Sequence, residues 1–522
     1  MKKIIAIGLV FLLLLGLVAA CGGKEKDPTT PSTNGSTPDT NVEGDDPSTD
    51  FGDTLTVVSS TKGNNFDPLT NYEADWIVCG QIYDTLFKLD EDGNPGSHVA
   101  ESWEESEDGM TLTIKLREDI VFHDGTPLDA NAVVFSFDVS HGVPANAWLD
   151  DLVPEWKALD DYTLEIKKGQ PYTPIYYSLL ARPQIVSPTA YQADPEAFAQ
   201  NPVGSGPYKF VSFGSDDVVV LEANEDYFLG EPHFKNLKIR PVMESATSVI
   251  ALQNGEVDIV LSLAPNQVPL AKELDGIVVE EHTGWAQTML LMAGDELAGN
   301  RHLRQAIAHA VDPQKAAILN EQTNAKMATD LFTEKMLGSY AGLVDPLGYD
   351  VSKVEELLEK ANYTSDLVIP IRVTQQHAAL AQSVQADLQA VGISAEIQQI
   401  DEATYSNSLS DGSFGLSFWE YGNDQSSTED LLTYFMSDNF YGAYMEATPE
   451  YDDYVSQFGS FPTEEERMEV MKSALELQVE FANMSPLYES VFNIAYHEGL
   501  SGFNPWSIAS YHYYFGDTVA GD

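Results

Sequence analysis

The chain has 522 residues, with 27 Lys and Arg against 82 Asp and Glu, and a formal net charge of −55 at pH 7. So strong a negative field disfavours nucleic acid and anionic membrane surfaces as partners. Only two cysteines are present, Cys21 and Cys79, which excludes a disulfide framework of several bridges and a cage of thiolates around a metal. Cys79 lies in the apolar segment WIVC, and we expect it to be a small core residue.

The first twenty residues have the pattern of a secretory signal. Two lysines precede an apolar stretch, and Ala19-Ala20 stand directly before Cys21. The 17 residues from 4 to 20 are marginal for a bilayer span, and a polar run follows them. The segment resembles the lipobox of bacterial lipoproteins, in which the cysteine is acylated. We therefore predict a signal peptide over residues 1–20 and a lipid on Cys21; an ordinary signal with a chance cysteine is the alternative.

Residues 21–50 have the composition of a flexible tether. The stretch after Cys21 is rich in Gly, Pro, Ser, Thr and Asp, and it contains no aromatic residue that could begin a core. As a flexible coil, a stretch of this length extends roughly 30 Å on average. We expect this part of the chain to be disordered.

The rest of the chain is too long for one hydrophobic core, so we expect two or more domains. Strand and helix patterns alternate without a fixed repeat. Leu112, Ile114 and Leu116 alternate with polar residues as in a half-buried strand, and Leu237 and Ile239 repeat this pattern. The sequence predicts a mixed α/β architecture, although periodicity does not indicate which strands pair.

Several helix ends carry recognisable signals. Asp129 and Asp312 stand where an N-cap is expected, and Thr463 begins a capping box before an apolar helical pattern. Gly255 and Gly392 are expected to end helices that begin near residues 245 and 378.

No compact catalytic motif is found in the sequence. It contains no H-E-x-x-H, no G-x-S-x-G, no G-x-x-x-x-G-K-[ST] and no G-x-G-x-x-G followed by a helix. His302 and His309 fall on one predicted helix, but about 10 Å apart at 1.5 Å per residue, too far to ligate one metal together. We therefore predict no catalytic residue, no metal site and no cofactor, with a secreted hydrolase as a distant alternative.

Six motifs, in order along the chain, resemble the family 5 solute-binding proteins of bacterial ABC importers, the oligopeptide, dipeptide and nickel receptors. The motifs are NFDP at 65–68, IYDTLF at 82–87, VAESW at 99–103, FHDGTPL at 122–128, NPVGSGPYK at 201–209 and RHLRQAIAHAVD at 301–312. We expect these residues to be mainly structural, with Gly125 in a turn of positive φ and with Gly204 and Gly206 allowing close backbone packing.

The resemblance implies a two-lobed periplasmic-binding-protein-like clamshell of class II, with mixed sheets flanked by helices. By similarity, lobe I is formed by residues 51–90, 203–284 and 487–522. An extra subdomain covers residues 91–202, and lobe II covers 285–486. A ligand then favours the closed form by contacting both lobes.

The resemblance also indicates ligand-contact residues. Trp285 lies where the chain should enter lobe II, and a buried hinge aromatic is the alternative interpretation. Trp419, Glu420, Tyr421 and Asp424 lie in a segment similar to the family's W-x-x-D-Y-x-D-P loop, whose aspartate neutralises a ligand amine. The sequence departs from that loop, with what looks like a two-residue insertion. We favour Asp424 as the partner of an amine, and Glu420 is the alternative.

A second departure concerns the ligand carboxylate. Dipeptide receptors carry an arginine near the start of the helix that here ends at Gly392, and the corresponding stretch 375–379 is QQHAA, without an arginine. Arg372 could substitute only if the end of its strand turns into the cleft. A longer peptide, or a neutral or cationic solute, is therefore favoured over a free dipeptide.

The hypothesis is an extracytoplasmic lipoprotein, monomeric and not an enzyme, that captures a peptide and delivers it to an ABC permease and its ATPase. It would be lipid-anchored at the outer face of a bacterial cell membrane. A receptor for nickel or another metal chelate or small solute is the alternative, and a surface adhesin or signalling receptor is a third interpretation.

Overall fold

The computed structural model describes most of the chain after residue 50. The described residues are 51–59, 65–70, 76–89, 95–143, 152–171, 175, 179, 183–241, 245–283, 286–320, 324–334, 340–422, 428–439, 441–442, 444–461, 463–502 and 514–521. Cys21, Trp285 and Asp424 lie outside them.

The strands are given in chain order. They are β1 (Thr54–Ser59), β2 (Phe87–Leu89), β3 (Pro95–Ser97), β4 (Ala100–Glu105), β5 (Thr111–Leu116), β6 (Glu155–Asp160), β7 (Thr163–Lys167), β8 (Tyr208–Phe213), β9 (Val219–Ala223), β10 (Asn236–Pro241), β11 (Ile259–Val260), β12 (Ile277–His282), β13 (Ala286–Met292), β14 (Lys326–Met327), β15 (Val368–Val373), β16 (Ser394–Gln399), β17 (Leu416–Gly422), β18 (Met484–Glu489), β19 (Phe492–His497), β20 (Leu500–Ser501) and β21 (Val519–Ala520).

The α-helices follow the same order. They are α1 (Trp76–Ile82), α2 (Ala130–Ser140), α3 (Pro188–Ala193), α4 (Pro195–Phe198), α5 (Ser245–Gln253), α6 (Val268–Ala271), α7 (Arg301–Ala310), α8 (Pro313–Leu319), α9 (Val354–Lys360), α10 (Ala378–Ala390), α11 (Glu402–Asp411), α12 (Thr428–Thr433), α13 (Pro449–Ser456) and α14 (Glu464–Phe481).

The first sheet has seven strands in the order β12-β19-β11-β1-β10-β9-β8. In it β1 runs parallel to β10 and β11, whereas β19 runs antiparallel to both β11 and β12. Leu55 and Val57 of β1 pack into the core that also contains Phe66 and Cys79, and Val58 packs into a separate core on α5 and α6. Cys79 is fully buried, which confirms that it is a core residue.

The second sheet has six strands in the order β14-β18-β13-β17-β15-β16. Its central strand β13 is buried along its whole length because helices cover both faces. Leu290 and Met292 pack against α7, α8 and α10, while Met289 and Leu291 point into the core formed with α12, α13 and α14. The strand therefore joins two cores.

The small sheet is antiparallel, in the order β4-β5-β7-β6. One face packs against α2 through residues such as Leu112, Ile114 and Phe137. Trp103 contacts this core at its margin, with its ring 4.9 Å from that of Phe87, and is only half-buried. The mixed α/β architecture that the sequence predicts is confirmed.

Most of the predicted helix ends are also confirmed. Asp129 accepts a hydrogen bond from the N–H of Ala132 at 2.9 Å, and Asp312 caps α8. Thr463 caps α14, but the Glu466 carboxylate accepts from the Thr463 hydroxyl, so the reciprocal bond of a capping box to the backbone is replaced by a side-chain bond.

Candidate ligand-binding site at the junction of the two sheets

The chain crosses from one sheet to the other twice, over very short segments. Strand β12 of the first sheet ends at His282, and β13 of the second sheet begins at Ala286. Strand β18 of the second sheet ends at Glu489, and β19 of the first sheet begins at Phe492. Two short crossings of this kind are the hinge that a clamshell requires.

These crossings leave and enter at the carboxyl ends of the parallel strands. In the first sheet, β12 runs in the same direction as β11 because β19 lies between them and is antiparallel to both. β1 is parallel to β11 and therefore has this direction too. In the second sheet, the start of β13 at Ala286 pairs with the end of β17 at Gly422. We call the region where the carboxyl ends of strands from the two sheets meet the junction. Ligands of open α/β sheets bind outside the carboxyl ends of the strands.

One row of side chains on the second sheet brings Glu420 to the junction. Thr288 pairs with Glu420 on β17 and with Tyr488 on β18, so the three side chains share a face. The Thr288 hydroxyl lies 3.2 Å from that of Ser490 in the second crossing, and the Tyr488 hydroxyl accepts from Asn320 at 3.0 Å. Polar groups therefore line this face up to the hinge.

The two carboxylates at this edge have different surroundings. Glu489 is almost completely buried and pairs with Lys326 at 3.0 Å. Glu420 is exposed, and its carboxylate has no hydrogen bond and no ion pair to any described residue. A carboxylate in this position is available to a cationic group of a ligand.

His377 stands beside this row at the start of α10. Its ring lies 5.9 Å from that of Phe418. Burial lowers the pKa of the His377 imidazole, and the negative charges of Glu420 and Glu402 oppose this only in part, so the ring is neutral at pH 7. Arg372 lies on β15, and its Nε donates to the side chain of Gln398 on the neighbouring strand β16 at 3.0 Å.

Two other predicted contact residues are described. Trp419 points to the face of the second sheet opposite Glu420, where it is half-buried and packs against the core, with its ring 5.4 Å from that of Tyr441. The backbone of Tyr421 lies in β17 opposite Gln287. The structure thus brings Glu420 to the junction and places Trp419 on the opposite face, against a core. The predictions for Trp285, Asp424 and Cys21 concern residues outside the described ranges.

Sequence reasoning missed the polar residues that surround the hinge. Gln287 is buried and donates through Nε2 to the carbonyl oxygens of Asp330 and Leu331, at 3.1 Å each. Lys326 and Glu489 stand far apart in the chain. No motif marks these residues, and only the order of strands in the second sheet makes them neighbours.

The histidines do not form a metal site in the described ranges. His309 is buried and its Nδ1 bonds the carbonyl oxygen of Gly348, while His302 is exposed and bonds Gln305. Over the same ranges, no group of three or more His, Cys, Asp or Glu side chains is arranged to hold a metal ion. None of the helices described there is long and apolar enough to cross a membrane.

The family profile of bacterial extracellular solute-binding proteins, family 5, middle region, matches residues 94–442. The chain belongs to this family. Glutathione-binding protein GsiB of Shigella flexneri serotype 5b is 28% identical to it over 354 residues, which are 65% of this chain and 68% of GsiB.

Solved structures with the same fold include two proteins with bound ligands. The periplasmic binding protein DppA of Helicobacter pylori, in complex with the peptide STSA, superposes with a TM-score of 0.77 at 22% identity, covering 90% of this chain and 98% of DppA. NikA of Brucella suis, in complex with Fe(III)-EDTA, superposes with a TM-score of 0.81 at 22% identity, covering 90% of this chain and 99% of NikA. The two-lobed clamshell predicted for this family 5 chain is confirmed.

Proposed function

We propose that this family 5 protein is the extracytoplasmic receptor of an ABC importer and that its ligand is a peptide, bound at the junction and passed on chemically unchanged. Two of its relatives support a peptide. GsiB is named for glutathione, itself a short peptide, and the DppA structure holds a peptide of four residues. No covalent step is needed, so the protein is not an enzyme.

The observation that carries the proposal is the carboxylate of Glu420, which has no hydrogen bond or ion pair to any residue that the structure describes. A peptide with a free amino terminus brings one ammonium group into the cleft, and an ammonium removed from water needs a negative partner. Glu420 is exposed on the junction edge, next to a neutral His377 that does not compete for its charge. Asp424, two residues beyond the end of β17, remains the other candidate partner.

The same edge favours a peptide longer than two residues. A free dipeptide presents its carboxylate close to its amine, and the stretch 375–379 has no arginine to receive it. A longer peptide can instead be held through its backbone N–H and C=O groups, which every peptide offers. Trp285 and Tyr421 are proposed as contacts beside Glu420, whereas Trp419 would act by supporting β17 from its buried face.

The lobes are proposed with the boundaries expected from the sequence. Strands of the first sheet come from residues 54–59, 208–241, 259–282 and 492–497, which supports lobe I over 51–90, 203–284 and 487–522. The small sheet supports a subdomain over 91–202, and the second sheet supports lobe II over 285–486. We further propose that a lipid on Cys21 anchors a monomer at the outer face of the membrane.

The test is a binding assay with defined peptides. We expect tri- to hexapeptides with a free amino terminus to bind and to be recovered uncleaved, as mass spectrometry of the bound fraction would check. Glu420→Gln should weaken their binding by about tenfold or more, the usual cost of removing a charged hydrogen-bond partner. N-acetylated peptides should bind the wild type and the variant equally, because they bring no ammonium group.

Glu396→Gln is the matched control, since Glu396 is exposed on β16 of the same sheet but lies in the middle of its strand. It should leave binding unchanged. Binding of a nickel–histidine chelate, with no binding of any peptide, would replace the peptide proposal by the metal-chelate alternative. If Glu420→Gln weakened the binding of free and acetylated peptides equally, Glu420 would not be the partner of the amine.

A further inference from the structure

The segment 324–331, here named the junction segment, lies along the hinge at the edge of the second sheet. Its strand β14 pairs with the end of β18, where Lys326 bonds the buried Glu489 at 3.0 Å. The carbonyl oxygens of Asp330 and Leu331 accept from the buried Gln287 of β13. The junction segment is therefore fixed to two strands of the second sheet and moves with that sheet.

Asn324, at the start of the junction segment, reaches the other sheet. Its Nδ2 donates to Oε1 of Glu281 at 2.7 Å. Glu281 belongs to β12, which is the edge strand of the first sheet, just as β14 is the edge strand of the second. The bond thus joins the two sheet edges directly, two residues before the first crossing begins at residue 283.

The Glu281 carboxylate is held from both sides. Its second oxygen, Oε2, accepts from the Nζ of Lys272 at 2.9 Å, and Lys272 follows α6 of the first sheet's layer. The bond from Lys272 is the main cause that lowers the pKa of Glu281, and the bond from Asn324 adds to it. The carboxylate is therefore ionised at neutral pH, and a bond to a charged acceptor is stronger than one between neutral groups.

A second contact links the small sheet to a helix of the second sheet's layer. Gln170, which follows β7 of the small sheet, donates to the carbonyl oxygen of Ser456 at the end of α13, at 3.5 Å. α13 packs on the second sheet. In the proposed division of the chain, Gln170 belongs to the subdomain of the first lobe and Ser456 to the second lobe. A contact between them indicates a closed arrangement, because opening a clamshell separates the lobes.

We propose that Asn324 and Glu281 form a hinge clasp, a bond between the lobes that exists in the closed arrangement and is lost on opening. A rotation about the two crossings moves β12 relative to the junction segment, so this bond changes length when the lobes move. The clasp rests on the proposed function in one respect, that the lobes close when a ligand is captured. The clasp sets the fraction of empty receptor that is closed, and this fraction sets the apparent affinity for any ligand.

The test is small-angle X-ray scattering of the ligand-free full chain. Asn324→Ala should shift the open-to-closed ratio by up to about tenfold toward open, seen as a larger radius of gyration. Asn324 is exposed, so the substitution does not disturb a core. Lys272→Met is the matched control, because it removes the other partner of the same carboxylate within one lobe, and it should leave the radius of gyration unchanged.

Glu281→Ala completes a double-mutant cycle. If Asn324 acts through Glu281, then Glu281→Ala and the double variant should show the same radius of gyration as Asn324→Ala. Urea unfolding of each variant checks that it is folded. A radius of gyration in Asn324→Ala equal to that of the wild type, or additive shifts in the double variant, would overturn the clasp. Because no ligand is present, either result is independent of the peptide proposal.

Discussion

Asp84 is buried, and both of its carboxylate oxygens are held by hydrogen bonds from other side chains. Its Oδ1 lies 2.8 Å from Nε2 of His98 and accepts from the Tyr227 hydroxyl at 3.1 Å, while Oδ2 accepts from the Ser205 hydroxyl at 2.7 Å. Burial by itself raises the pKa of Asp84, but the interaction with His98 and these hydrogen bonds outweigh it, so the pKa is lowered. This network joins the IYDTLF motif, which contains Asp84, to the NPVGSGPYK motif, which contains Ser205, and gives a structural reason for both.

The lowered pKa of Asp84 makes a testable contribution to acid stability. Because the folded pKa lies below the unfolded value of about 3.9, folding favours the ionised form above that pH, and this stability is lost as the pH falls through the folded pKa. We expect Asp84→Asn to lower the free energy of unfolding by about 3 kcal/mol at pH 7. This difference between the two proteins should become smaller below pH ~4. Urea unfolding of both proteins between pH 7 and pH 2 measures the difference.

Asp108→Asn serves as the control, since Asp108 is exposed and its pKa is also lowered, mainly by the Ser106 hydroxyl. It should have little effect at any pH because solvent screens the group. A cost of Asp84→Asn that stays constant down to pH 2 would contradict the assignment.

At the scale of elements, the turn 204–206 packs directly on the end of α1. A Cβ atom on Gly204 would lie 2.0 Å from the carbonyl oxygen of Ile82, and one on Gly206 would lie 2.6 Å from that of Gln81. The N–H of Gly206 donates to the Ile82 carbonyl oxygen at 2.8 Å. The close packing that the sequence predicted for both glycines is confirmed.

We expect Gly204→Ala to destabilise the protein by about 3 kcal/mol, because backbone on both sides would have to move. Gly299→Ala is the control: a Cβ atom there meets nothing within 4 Å and the backbone is not in the left-handed region. Thermal or urea unfolding of the wild type and the two variants measures these differences in stability. Equal stability of both variants would show that the turn can relax away from α1.

Elements were predictable where the signal is local, and not where it depends on distant partners. Asp129, Asp312 and Gly392 mark helix ends because capping uses groups within a few residues. Gly125 has a φ of +81°, as its turn position indicated. The pairing of β1 with both β10 and β11 joins residues about 180 to 200 positions apart, and no local pattern encodes such a choice.

At the scale of the whole molecule, the two-lobed fold was predictable from ordered motifs, whereas the hinge contacts were not. Asn324 and Glu281 carry no motif, and they meet only because both belong to the margins of edge strands. The candidate site was predictable in part. Glu420 was named from a resemblance in sequence, but the opposite orientation of Trp419 follows from strand alternation along β17.

The net charge of the whole chain should act on ligand association. With 82 acidic against 27 basic residues, the molecule attracts cationic ligands over a Debye length, which is about 30 Å at 0.01 M salt and about 8 Å at 0.15 M. We expect a lysine-containing peptide to associate about tenfold faster at the lower salt concentration, and an aspartate-containing peptide of equal length to associate more slowly there. Stopped-flow tryptophan fluorescence measures both rates.

Dissociation rates provide the internal control for this prediction, because long-range attraction changes the encounter of ligand and protein more than the contacts of the bound state. They should vary little with salt for either peptide. Glu420→Gln should keep the salt dependence of association, since it removes one charge from a net charge of −55, while its dissociation should be faster. If salt changed the two peptides' association rates in the same direction, the field of the whole molecule would not steer the ligand, and only local contacts at the junction would select it.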